Sequence, residues 1–219
     1  MKSLALSLAI LAALSLSPNT QAHEGHDQAA NTTSKSSDCI SAKQVATQAA
    51  LRDLWVEHVF WIRNYVIASK DGNQNEKKVA AEQVLANATS ISGAIASFYG
   101  KPAGDQMLTL LGGHWGAVKE YSDATFSKDA KGQQSAATKL VANAKQIAAF
   151  LAKANPNLPE PVLVGLLSAH GAHHIAQIQQ ISKGDFAGEA NTWAAMRSHM
   201  FSIADALTAG LAKQFPAKF

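Results

Sequence analysis

The chain has one cysteine, Cys39, among 219 residues. That excludes an internal disulfide framework and leaves stability to the core. It also lacks any apolar run of the roughly 20 residues that a membrane-spanning helix requires. Charged residues make up only 16% of the sequence and sum to +3, spread evenly, which argues against nucleic acid or a membrane surface as partner. The tryptophans Trp55, Trp61, Trp115 and Trp193 lie on helical stripes and are not interleaved with basic residues, so they read as core. No stretch alternates with strand periodicity, so no glycine-rich phosphate loop follows a strand. No serine sits in a nucleophile elbow, and no triad is evident. There is no Cys-x-x-Cys-His for covalent haem, although a haem held by two histidines stays open. A di-iron bundle needs Glu-x-x-His motifs, and Glu57, beside His58, points about 100° away around a helix.

What is present begins with Lys2, an apolar run from Leu4 to Leu14, Pro18 and the small-residue ending Thr20-Gln21-Ala22. Residues 1–22 therefore read as a signal peptide cleaved near Ala22, and the mature chain as periplasmic or secreted. Cys39 follows Ser36-Ser37-Asp38, far from the apolar run, which argues against lipidation. Residues 23–38 carry almost no apolar side chains and read as a disordered polar leader. In it, His23 and His26 are either a weak copper or zinc site or part of a solvated tail. Cys39 can be a spare thiol, a dimer link or a soft metal ligand.

From residue 39 to 219 the reading is all-α. Leu51, Leu54, Trp55, His58, Ile62, Tyr65 and Val66 recur at three-to-four spacing on one helical stripe. The stripe returns twice at a fixed interval, with His58, His114 and His170 spaced by 56 residues. Turn signals at Asp71-Gly72-Asn73, Gly100, Ser127-Lys128-Asp129, Asn155-Pro156-Asn157 and Gly184-Asp185 divide the region into six helices. Helices two, four and six repeat at the same shift: Val84, Leu140 and Met196 coincide, then Asn87, Asn143 and His199, then Ile91, Ile147 and Ile203. The chain thus reads as three 56-residue antiparallel helical hairpins, over about 45–100, 101–156 and 157–213. A single hairpin is too thin to bury its own stripe. A closed six-helix bundle with pseudo-threefold repeat buries all three, and so does a short open superhelix. The absence of polar capping copies favours the closed form.

Each hairpin pairs a histidine on its first helix with a polar residue on its second. If the hairpins surround an axis, these groups share a level in the core. One reading is a polar layer in which each imidazole bonds an asparagine amide, so that the histidines and asparagines only fix the fold. The other makes His58, His114 and His170 metal ligands, with the fourth position taken by water, His174 or His199. Asn87 and Asn143 would then orient the rings. Neutral imidazoles suit zinc, copper, iron or nickel. His170 and His174 lie one turn apart, where the other hairpins have Ile62 and Val118, and His173 is expected at the edge. Gly112, Gly113 and Gly171 are expected to allow close helix approach. Arg63 and Arg197 are expected in solvent or in rim salt bridges.

The run Leu54-Trp55, His58-Val59, Trp61 and Arg63, with Asn87-Ala88, Ile91, Ala94-Ile95, Phe98-Tyr99-Gly100 and the later Asn143-Ala144, Ile147-Ala148 and Phe150-Leu151, resembles a bacterial helical-bundle family of uncharacterised function. Its opening motif is Leu-Trp, two residues, His-Val, one residue, Trp, one residue, Arg. The likeness runs from about Leu51 to Leu211 and implies a helical fold. Some members carry a glycosyltransferase name, which no residue here supports. His173, His174 and His199 depart from the family pattern, toward metal. The leading function is therefore binding of a metal or small cofactor through His58, His114, His170, His174 and His199. A structural or interaction module comes second, and a metal-dependent hydrolytic enzyme third. Oligomeric state is open.

Overall fold

The computed structural model describes residues 40–219, so the signal-like segment, the leader with His23 and His26, and Cys39 lie outside the described residues. Those described form six α-helices and no strand: α1 (Ala42–Asp71), α2 (Gln74–Tyr99), α3 (Lys101–Phe126), α4 (Ala130–Ala154), α5 (Glu160–Lys183) and α6 (Phe186–Gln214). None of these helices is long and apolar enough to cross a membrane.

Local chemistry sets the helix ends. Ser41 accepts the Gln44 amide at 3.0 Å and so starts α1. Pro102 and Pro161 fall in the first turns of α3 and α5, where a missing N–H costs nothing. The turn from α1 to α2 is rebuilt from α3 to α4 and from α5 to α6. In each, one residue takes a left-handed backbone: Gly72 (φ 71°), Lys128 (φ 59°) and Gly184 (φ 74°). The next residue, Asn73, Asp129 or Asp185, sends its N–H back to Ala68, Ala124 or Gln180. Its side-chain oxygen then caps the following helix by accepting the amide of Glu76, Gly132 or Gly188. All of these positions are 56 residues apart.

Lys128 is the one non-glycine residue with positive φ among the described residues. A left-handed lysine costs about 1–2 kcal/mol, whereas glycine's extra freedom in the unfolded chain costs about 0.5–1. Lys128→Gly is therefore expected to raise stability by about 0.5–1 kcal/mol, read as a higher urea midpoint at unchanged slope.

Each helix packs against the next, and α6 packs back on α1, so the ring of helices closes. The helices α1, α3 and α5 also touch one another, which places them innermost. Side chains reinforce the closure. Arg52 makes a two-pronged pair with Asp205 at 2.7 and 2.6 Å. Arg63 does the same with Glu189 at 2.6 and 2.8 Å. Glu189 is buried and also accepts from Gln177 at 2.9 Å. The Arg63 guanidinium hydrogen-bonds that carboxylate and holds its pKa down. Arg63, itself partly exposed, thus takes the salt-bridge role, one of the two expected for it, with a buried partner.

The apolar core falls into two clusters. One contains Trp55, Val59, Met107, Leu111, Leu167 and Met200. The other contains Ile62, Val66, Val118, Leu140, Ile178 and Ile181. On α1, α3 and α5, His58, His114 and His170 sit along the chain at the boundary between the two.

Candidate metal centre

His58, His114, His170 and His174 converge where the three inner helices meet. They are 1%, 6%, 2% and 0% exposed. Each offers a ring nitrogen within 4.8 Å of those of the other three. Ring centroids lie 4.4 Å apart for His170 and His174, 5.2 Å for His114 and His170, and 5.7 Å for His58 and His114. His170 and His174 lie one turn apart on α5, which puts both imidazoles on one helix face. Their Nε2 atoms are 3.1 Å apart, so one of these nitrogens donates to the other.

Beyond that bond the rings are poorly satisfied. Both nitrogens of His58, Nε2 of His114, Nδ1 of His170 and Nδ1 of His174 are buried without a hydrogen-bond partner. An unpaired buried polar atom costs on the order of 1–3 kcal/mol. Five together approach the whole stability of an ordinary domain, about 5–15 kcal/mol.

The asparagines make no hydrogen bond to these rings, and their amides donate to backbone carbonyls instead. Asn87 donates to the Leu54 carbonyl at 3.0 Å and Asn143 to the Leu110 carbonyl at 2.9 Å. Asn87 also donates to Glu57 at 3.1 Å. His199 occupies the matching place and uses it the same way, its Nε2 reaching the Leu166 carbonyl at 2.8 Å. Each of these carbonyls lies four residues before a clustered histidine, so the contact clamps the outer helix to the turn that presents the ring. The Oδ1 atoms of Asn87 and Asn143 are buried without partners.

Burial holds the imidazoles neutral. It pushes His58 down to about 3, helped by the neighbouring His114 and opposed by Asn87. It pushes His114 down to about 4, opposed by Asn143. His170 and His174 are driven well below the usual histidine value by burial first and by their neighbouring imidazoles second. Each ring therefore keeps one nitrogen free of a proton at neutral pH. A tetrahedral ion with nitrogens at about 2.0–2.1 Å spaces them about 3.4 Å apart. The His170 and His174 Nε2 atoms, 3.1 Å apart, already approach that separation, and the other two rings each offer a nitrogen within 4.8 Å of the group.

Of the residues expected as ligands, His58, His114, His170 and His174 come together. His199 is not in the group, its Nε2 being turned to a backbone carbonyl instead. His173 is half-buried, its ring 5.3 Å from that of His199. Close approach explains Gly113 alone among the three glycines near the site: a side chain there would meet Asn143 Nδ2 at 3.2 Å, while at Gly112 and Gly171 it would meet nothing within 4 Å. Tighter approaches occur at Gly104, against Ala96, and Gly210, against Leu158. Trp55 packs edge-on against His58 at 5.9 Å and lines, with His114, His170, Leu111 and Leu167, a cavity of about 10 Å³. Its place on the histidine stripe, three residues before His58, was the sequence signal for that contact. Comparison with protein-family models, curated proteins and solved structures finds no match to the chain.

Proposed function

We propose that the protein is an exported metal-binding bundle that holds one transition-metal ion among His58, His114, His170 and His174. The observation that carries this reading is the group of four buried histidines, each offering one ring nitrogen within 4.8 Å of the others, in a cluster where five ring nitrogens lack a hydrogen-bond partner. Coordination would give one nitrogen of each ring a partner. The Oδ1 atoms of Asn87 and Asn143 then serve as acceptors for the outward N–H of His58 and His114. A set of neutral nitrogens suits zinc, copper or iron and offers nothing to magnesium or calcium, which take oxygen ligands. Four protein ligands fill a tetrahedral shell, the arrangement of an ion that is held, whereas water activation uses three and an open position. Binding is thus favoured over hydrolysis. We read the architecture as three equivalent hairpins around an axis, each contributing one imidazole, with His174 added by the third. The signal-like residues 1–22 support export.

Elemental analysis of the untagged protein purified from the periplasmic fraction tests the reading. One ion per chain is expected. It should be lost from the His58→Ala/His170→Ala variant while helix content by circular dichroism is kept. A metal-free wild type, or a double variant that retains the ion, would overturn it.

A further inference from the structure

The third hairpin departs from the other two at three places around one level. His173 stands where they have Trp61 and Ala117, His174 where they have Ile62 and Val118, and His199 where they have Asn87 and Asn143. Two hairpins fold without imidazoles there, so folding does not demand them. His174 joins the buried four. The remaining two pair with each other: their rings lie 5.3 Å apart, edge to face, half-exposed between α5 and α6. The Leu166 carbonyl can only accept, so His199 Nε2 carries the hydrogen and Nδ1 keeps a lone pair. His173 Nδ1 is buried with no partner. Its backbone neighbour is His174, and His199 bonds the Leu166 carbonyl one turn before His170. His173 therefore lies on the same stretch of α5 as that helix's inner histidines, and His199 on the helix packed against it.

We propose that His173 and His199 form an outer, two-imidazole site for a transition-metal ion, from which the ion passes inward to the four buried histidines. The proposal rests on the inner reading above. A hydrated ion bound for a dry core must surrender its water, and stripping it at once is expensive. Two nitrogens at the rim replace part of the hydration shell before burial is complete, and the inner rings replace the rest. Asparagine at position 199 would serve the carbonyl equally well, whereas an imidazole there also offers a metal ligand.

The test uses Zn²⁺ alone, competed against a chromophoric chelator, in full-length metal-free protein with His23 and His26 changed to alanine throughout. The His173→Ala/His199→Asn variant installs residues found at the matching positions of the second hairpin and keeps a donor for Leu166, so it should fold. The parent should bind one zinc tightly and one weakly. This outer variant should lose the weak ion and fill the tight site roughly tenfold or more slowly, to the same final occupancy. A His58→Ala/His114→Ala variant should keep the weak ion. An outer variant matching its parent in count and rate overturns the proposal. Loss of the weak ion with an unchanged loading rate overturns the entry role. If the parent binds a single zinc that His199→Asn removes, the inner reading falls and the entry role with it.

Discussion

Metal-free protein is expected to unfold in mild acid, with a midpoint between about pH 4.5 and 5.5, far above the range in which ordinary carboxylates titrate. The sign follows from which state takes up protons. In the unfolded chain His58, His114, His170 and His174 titrate near 6.5, whereas in the folded chain they stay neutral, His58 down to about 3 and His114 down to about 4. Stability due to their neutrality is fully present above pH 6.5. It is lost as pH falls from there toward the folded values. Each ring contributes about 1.4 kcal/mol per pH unit, so four together lose about 5–6 kcal/mol per unit, against a total of about 5–15. Far-ultraviolet circular dichroism from pH 7.5 to 4.0, in the presence of a chelator, reads the transition. A metal-free chain still folded at pH 4 would mean that the rings are not held neutral in the core.

The second large effect is a gain. Replacing His58, His114, His170 and His174 together by leucine, close to histidine in volume, is expected to stabilise the metal-free protein by about 5 kcal/mol or more at pH 7. The five unpaired nitrogens disappear and apolar contacts take their place, joining two clusters that are now separate. The same variant should bind no transition metal, and its urea midpoint should stay level between pH 7 and 5. If the histidines were a satisfied structural layer, the change would instead lower stability. Chemical denaturation of both chains in chelator therefore separates a site retained for a ligand from one retained for the fold.

Much of this was legible in the sequence because the deciding interactions are local. A left-handed residue followed by Asn or Asp marks three of the five helix junctions, and these pairs read directly as Gly72-Asn73, Lys128-Asp129 and Gly184-Asp185. His58, His114 and His170 were legible because position on a stripe determines burial. The fourth member of the group was not settled, since His174 and His199 both face inward in a pattern of apolar residues. The repeat did hold a clue. His199 aligns with Asn87 and Asn143, whose amides donate to a carbonyl, and a protonated ring nitrogen can do the same. Burial of Glu189 left no trace in the sequence. A glutamate in the first turn of a helix ordinarily reads as an exposed residue favoured by the helix dipole, and its burial depends on Arg63, 126 residues earlier.

The three inner helices bring unequal gifts to their meeting point: one imidazole from α1, one from α3 and two from α5. Three separate, identical hairpins assembled about an axis could present three such rings or six, never four, because whatever one subunit changed the others would change too. Four rings from three inner helices require one helix to differ from the other two, which a continuous polypeptide allows. The covalent links between the helices thus allow the centre to hold four imidazoles.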